Sequence, residues 1–113
     1  VQTCALPISK VINNNICLAY TKTETDNINI VIAQAADELL NIKEVEASFV
    51  LARKDDRVFI SARSLGNINV HVLMENLGGG GHRDMAGAQL DTSLEKAYEM
   101  VKDTIQTCIK EEE

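Results

Sequence analysis

Residues Gly78 to Gly87, GGGGHRDMAG, bring together the residue types best suited to chemistry. Each glycine loses more backbone freedom on folding than alanine would, about 0.5–1 kcal/mol. Four in a row exceed what a connecting loop requires. Successive backbone N–H groups in a turn open only to glycine form a concave nest for an anion, and with no Cβ in the way a phosphate can lie against the chain. His82 at the rim can donate a hydrogen bond, and a charge when protonated. The structural alternative is a helix C-cap followed by a tight turn, with His82 on the surface. That alternative accounts for Gly78 and leaves Gly79, Gly80 and Gly81 unexplained. The run is not GxGxxG, and it lacks the Lys and Ser/Thr of a P-loop.

Arg63 is the second candidate. In VFISARS, residues 58–64, alternation puts Val58, Ile60 and Ala62 on one face of a strand and Phe59, Ser61 and Arg63 on the other. A guanidinium can fix a phosphate with two hydrogen bonds. Taken alone, a solvated strand arginine explains it as well. Leu65-Gly66 and Asn69-Val70, which follow closely, strengthen the case for a site. His71 reads as a solvent-facing residue at the start of a helix.

Catalytic machinery is harder to find. Metal-assisted phosphodiester hydrolysis requires several Asp and His ligands around two ions. The chain has two histidines and no carboxylates gathered around them. Asp55-Asp56 reads as a turn, and Asp84 is a lone acid beside His82. No Ser-His-Asp or Cys-His arrangement can be assembled. The residues describe a binding module, with no catalytic residue and no metal ligand of its own.

Whole-chain properties agree. The 113 residues fit one domain, and 45% are apolar, enough for a core that is aliphatic because aromatics make up 4%. The net charge of -6 argues against sequence-independent binding to long nucleic acid, but not against a small phosphate ligand in a local pocket. No apolar run is long enough to span a membrane, and no secretory pattern opens the chain. Cys17 and Cys108 fall on apolar positions as buried thiols, which fits a reducing, cytosolic setting. Cys4 lies in VQTCALPI, residues 1–8, which matches the translation of a short-read sequencing adapter codon by codon. That segment is expected to be an artefact, and residues 9–113 to be the tail of a longer protein.

The elements that must position these residues can be read from periodicity. Asn15 to Thr21 is a buried strand. Ile28 to Ile42 is a helix with the stripe Ile28, Ile32, Ala35, Leu39 and Ile42, capped by Asp26 or Asn27. Ala47–Ala52 and Val58–Ser64 are a hairpin around Lys54–Arg57. Val70 to Leu77 is a short helix with Asn69 as its cap, and Gly78 ends it in the left-handed conformation. Met85 to Leu90 is a strand of small residues. Thr92 to Glu95 has capping-box spacing, and it opens a helix to Ile109 with Leu94, Ala97, Val101, Ile105 and Cys108 inward. The order is β-α-β-β-α-β-α, an α/β (α+β) fold with a single mixed sheet and helices packed on it.

From Asn14 to about Gln106 the chain resembles the DHH-associated C-terminal domain of the DHH phosphoesterase superfamily. The likeness rests on Gly79-Gly80-Gly81-His82 following a hairpin that carries Ser61, Arg63 and Ser64. Within the superfamily it is most similar to membrane-anchored cyclic-di-AMP phosphodiesterases of Gram-positive bacteria. Three residues, Arg83-Asp84-Met85, separate His82 from Ala86, where nano-RNases and single-strand exonucleases have a shorter gap.

The resemblance implies that Ser61, Arg63 and Ser64 contact phosphate. It implies that Gly79, Gly80 and Gly81 allow close backbone approach and that His82 hydrogen-bonds the substrate, with Asn69 in the same cleft. It also implies a missing N-terminal DHH domain holding two manganese ions, with hydrolysis of cyclic-di-AMP to pApA by the parent protein. The fragment alone would then be inactive. The parent would be anchored in the plasma membrane with this domain in the cytoplasm, and could be a homodimer. Two alternatives have distinct signatures. A nano-RNase or exonuclease tail would prefer short linear nucleic acid. An RNA-binding appendage like the C-terminal part of alanyl-tRNA synthetases would show a basic face.

Overall fold

Along the chain the elements are β1 (Ile8–Ile12), β2 (Ile16–Thr21), α1 (Ile28–Leu39), β3 (Ala47–Lys54), β4 (Arg57–Ser64), α2 (Val70–Glu75), β5 (Gly80–His82), β6 (Met85–Leu90) and α3 (Leu94–Glu112). The computed structural model describes residues 8–12, 16–21, 26–42, 45–66 and 68–112. Its six strands form one mixed sheet in the order β1-β2-β3-β4-β6-β5. β2 and β3 run parallel, joined by the crossover helix that parallel pairing requires, and the other neighbours are antiparallel.

Helices cover both faces. Ile28, Ile32, Ala35, Ala36 and Leu39 of α1 pack on Cys17, Ala19, Val50 and Ala52. On the opposite face, α2 and α3 bury Leu73, Met74, Ala97, Val101 and Ile105 against Leu18, Phe49, Leu51, Ile60 and Ala62. β3 is therefore buried on both sides from Ala47 to Ala52, as expected of a central strand whose sequence is nearly all apolar. The β3–β4 hairpin turns through Asp55 and Asp56, both at positive φ (55° and 65°). That is the primed turn whose twist matches paired strands.

The structure keeps the expected elements in their expected order and adds two strands. β1, ISKVI, pairs antiparallel with β2 at one edge. β5 arises inside the glycine run and forms the other edge. α1 stops at Leu39, and a tighter turn through Asn41 and Ile42 leaves Ile42 half exposed, outside the expected stripe. Asn27 occupies the cap position of α1 without a side-chain bond, and Asp26 instead pairs with Lys54 at 3.4 Å. At α3 the cap is Ser93, one residue after Thr92: its Oγ accepts from Lys96 N at 3.2 Å. Cys17 is a buried thiol. The side chain of Cys108 and residues 1–7 of the adapter-like segment lie outside the described residues.

Candidate functional site

The registers of β4, β6 and β5 decide which side chains share a face. Ser61 lies opposite Gly87, and Gly87 opposite Gly80. In the next row Arg63 lies opposite Met85, and Met85 opposite His82. Cross-strand partners project to the same side of a sheet. Ser61, Gly87, Gly80, Arg63, Met85 and His82 therefore share the face on which α1 packs, over β3 and β4. The result is a floor of bare peptide bordered by a hydroxyl, a guanidinium, an imidazole and the half-exposed Met85. A groove of about 440 Å³ continues this floor past Gly79 and Gly87 to Asn29 and Gln89.

The glycine run is not the turn of consecutive amide donors that the sequence predicts. Gly78, at φ +87°, closes α2. Gly78 N bonds Glu75 O at 3.0 Å, and Gly79 N bonds Met74 O at 2.8 Å, the paired bonds of a Schellman ending. From Gly80 the chain is extended as an edge strand. A Cβ on Gly79 would collide with the Gly87 carbonyl oxygen and Ala88, and one on Gly81 would lie 2.5 Å from Ala86 Cα. A Cβ on Gly80 would meet nothing within 4 Å. The close backbone approach at Gly79 and Gly81 is thus to β6, and Gly80 is the position left open on the site face.

Arg83 and Asp84 form the β5–β6 turn, so the three-residue gap after His82 gives His82 a strand partner in Met85. The turn is fastened at both sides. Ser64 N donates to Asp84 O and Val70 N to Arg83 O, each at 3.0 Å, and Arg83 Nε donates to Gly66 O at 2.9 Å.

Arg63 is largely buried, its side chain 12% exposed. Its Nε donates to Asp37 Oδ1 on α1 at 3.0 Å and its Nη1 to Ala62 O at 2.9 Å. Two of its five N–H donors are thereby engaged and the plane of the guanidinium is set. α1 is itself seated by the buried Ser48, whose Oγ donates to Ala36 O at 2.6 Å, one residue before Asp37.

Two expected site residues stand apart. Ser64 follows Arg63 by one position, so it faces the other way. It is buried, and its Oγ accepts from Gly66 N at 2.9 Å. Asn69 caps α2, with Oδ1 accepting from His71 N and Val72 N. His71 pairs with Glu75 on its own helix at 3.2 Å. Asp37, Met85 and Gln89 were not singled out from the sequence. Alternation along MAGAQL would have found Met85 and Gln89, whereas Asp37 meets Arg63 only through tertiary packing. Among the described residues no group of three His, Cys, Asp or Glu side chains could hold a metal ion, so the residues here do not fit a manganese centre. No helix among them is long and apolar enough to cross a membrane.

The chain falls in a known class of domain. A family model for the DHHA1 domain matches residues 13–111, and the chain belongs to that family. It is 54% identical over 78 residues to the cyclic-di-AMP phosphodiesterase GdpP of Bacillus subtilis (strain 168), an alignment covering 67% of this chain and 12% of the relative. It is 41% identical over 90 residues to the cyclic-di-AMP phosphodiesterase PdeA of Listeria monocytogenes, covering 78% of this chain and 14% of the relative. The chain thus spans about an eighth of the length of these relatives. The solved structure of an exopolyphosphatase-related protein from Bacteroides fragilis superposes with a TM-score of 0.79 at 21% identity, over 92% of this chain and 32% of that one, a likeness of fold.

Proposed function

We propose that this chain is the substrate-binding domain of a phosphodiesterase that opens cyclic-di-AMP to linear pApA. The observation that carries the reading is Gly80. Folding accounts for Gly78, Gly79 and Gly81, whereas a side chain at Gly80 would meet no protein atom. Gly80 lies in the row beside Arg63 and His82, on their face. A missing Cβ there has a purpose if a phosphate or sugar comes against the peptide. Arg63 then holds the phosphate with its remaining donors, Ser61 and His82 supply further hydrogen bonds, and the flat floor carries the rest of the nucleotide. The names of the relatives supply the substrate.

In this reading the hydrolytic step belongs to a DHH domain outside the chain, with its two manganese ions, and the parent is anchored in the membrane. This domain contributes position. Holding a phosphodiester in place converts an encounter between substrate and catalyst into a step within one complex.

Titrating the chain with cyclic-di-AMP and with pApA, followed by backbone amide NMR, tests the reading. Shifts should cluster at Ser61–Arg63 and Gly79–His82. Arg63→Ala and His82→Ala should each weaken binding about tenfold or more, the scale of a lost charge-assisted hydrogen bond. No shift at millimolar ligand would sink the proposal.

A further inference from the structure

Met85 borders the site, and the phosphate reading leaves it without a task. It stands between Arg63 and His82 in the row across β4, β6 and β5. Side chains directly opposed on one face of a sheet start about 4.5–5.5 Å apart at Cβ. A thioether donates nothing and accepts weakly, so it adds little to the hold on an anion. Met85 also belongs to neither core cluster.

The three methionines of the chain differ in access. Met74 is 0% exposed and Met100 is partly buried against the core, whereas Met85 is 50% exposed. An oxidant has to reach the sulfur, so a hydroperoxide meets Met85 first. The Sδ lone pair attacks the terminal peroxide oxygen. An S–O bond forms, the O–O bond breaks, and the alcohol (water, when the oxidant is hydrogen peroxide) leaves with the proton. Sulfur gives up two electrons and the peroxide takes them. The product is a polar sulfoxide, and its oxygen is a far better acceptor than the thioether. That oxygen arises one strand away from the N–H donors of Arg63 that Asp37 and Ala62 leave over, and one strand away from the His82 imidazole. Because Met85 lies outside the core, the change falls on the site and spares the packing of the fold.

We propose that Met85 is a redox modification site, oxidised by a hydroperoxide to the sulfoxide, whose new oxygen accepts from Arg63 and His82 in place of a phosphate and so closes the site. A dithiol acting through methionine sulfoxide reductase reopens it, carrying the oxygen away as water and becoming a disulfide. The proposal rests on the phosphate reading above, which gives Arg63 and His82 their ligand.

The test treats the whole chain with hydrogen peroxide and follows the gain of oxygen at each methionine by peptide mass spectrometry. Met85 should oxidise at least about fivefold faster than Met100, with Met74 slower still. Titration with pApA before and after treatment should show affinity falling about tenfold, the scale of a lost charge-assisted hydrogen bond, and recovering after the reductase. The Arg63 Nε–H and His82 ring NMR signals should move on oxidation with no ligand present. Met85→Leu keeps every cysteine and the other methionines, so its affinity, whatever its starting value, should not change under the same treatment. Met85 oxidising no faster than Met100, Arg63 and His82 signals that stay in place, or full oxidation with unchanged affinity would each overturn the switch. If Arg63→Ala still lost binding in the unoxidised chain, the phosphate reading would stand. An unoxidised chain that binds no pApA would overturn the phosphate reading, and the switch with it.

Discussion

Gly80 and its neighbours separate two reasons for having a glycine. Gly79 and Gly81 lack the room for a methyl group, because β6 lies directly against them. Gly79→Ala and Gly81→Ala should therefore each destabilise the fold by about 1–3 kcal/mol, the usual cost of forcing an extra methyl group into packed structure. Gly80→Ala adds its methyl to open space and should change stability by no more than about 1 kcal/mol. The same methyl would rise from the floor between Arg63 and the groove, and dinucleotide affinity should fall at least tenfold. Urea unfolding and ligand titration of the three variants decide the matter, and a Gly80→Ala chain that binds normally would make the whole run structural. Much of this was legible in the sequence. Four glycines cost more than a loop requires, and alternation placed Ser61 and Arg63 together. The same alternation places Ser64 on the opposite face, although the family likeness groups it with them. What the sequence could not show is which glycine is free, since that depends on β6 lying alongside.

At the scale of elements, the site is the gap between α1 and the β5 edge, and α1 reaches into it through Asp37. The carboxylate holds Arg63 Nε and also places a negative charge beside the expected phosphate. Asp37→Asn keeps an acceptor for Nε and removes the charge, so phosphate should bind more tightly. Asp37 is 64% exposed, so screening limits the gain to about two- to fivefold at low salt, shrinking toward none as ionic strength rises. Weaker binding in Asp37→Asn would mean that the charge orients Arg63 more than it repels ligand. No periodicity announces this contact, because α1 and β4 meet only after the β2-α1-β3 crossover has formed. β5 was illegible for a related reason. Glycine has little strand preference, and the extended run is imposed by pairing with β6, a tertiary demand overriding local propensity. The end of α1 shows the reverse failure: Ile42 continues the apolar spacing, yet the chain has already turned toward β3.

Across the whole molecule, the net charge of -6 leaves a local pocket as the way to hold an anion, and the sheet must stay rigid to keep that pocket formed. One tie between distant parts can be followed by pH. Tyr20 on β2 and Tyr98 on α3 pack edge to face, their rings 5.5 Å apart at 73°. Burial raises the Tyr98 phenol above its ordinary value of 10.0, and the negative charges of Tyr20, Glu99 and Cys17, when ionised, raise it further. The folded state therefore holds the phenolic proton more tightly than the unfolded chain does. Between the unfolded and folded values the native protein binds more protons, so stability falls as pH rises. This contribution is complete below about pH 10 and is lost progressively above it. The chain has two tyrosines and no tryptophan, so Tyr20→Phe leaves Tyr98 as the only phenol, and absorbance at 295 nm should place its midpoint above 10. Urea unfolding from pH 8 to 11 should show the wild-type chain losing stability relative to Tyr98→Phe only above pH 10, since phenylalanine has no proton to release. Parallel stability curves for the two proteins would show that the phenol ionises as freely in the fold as outside it, and that the ring pair holds α3 to the sheet by packing alone.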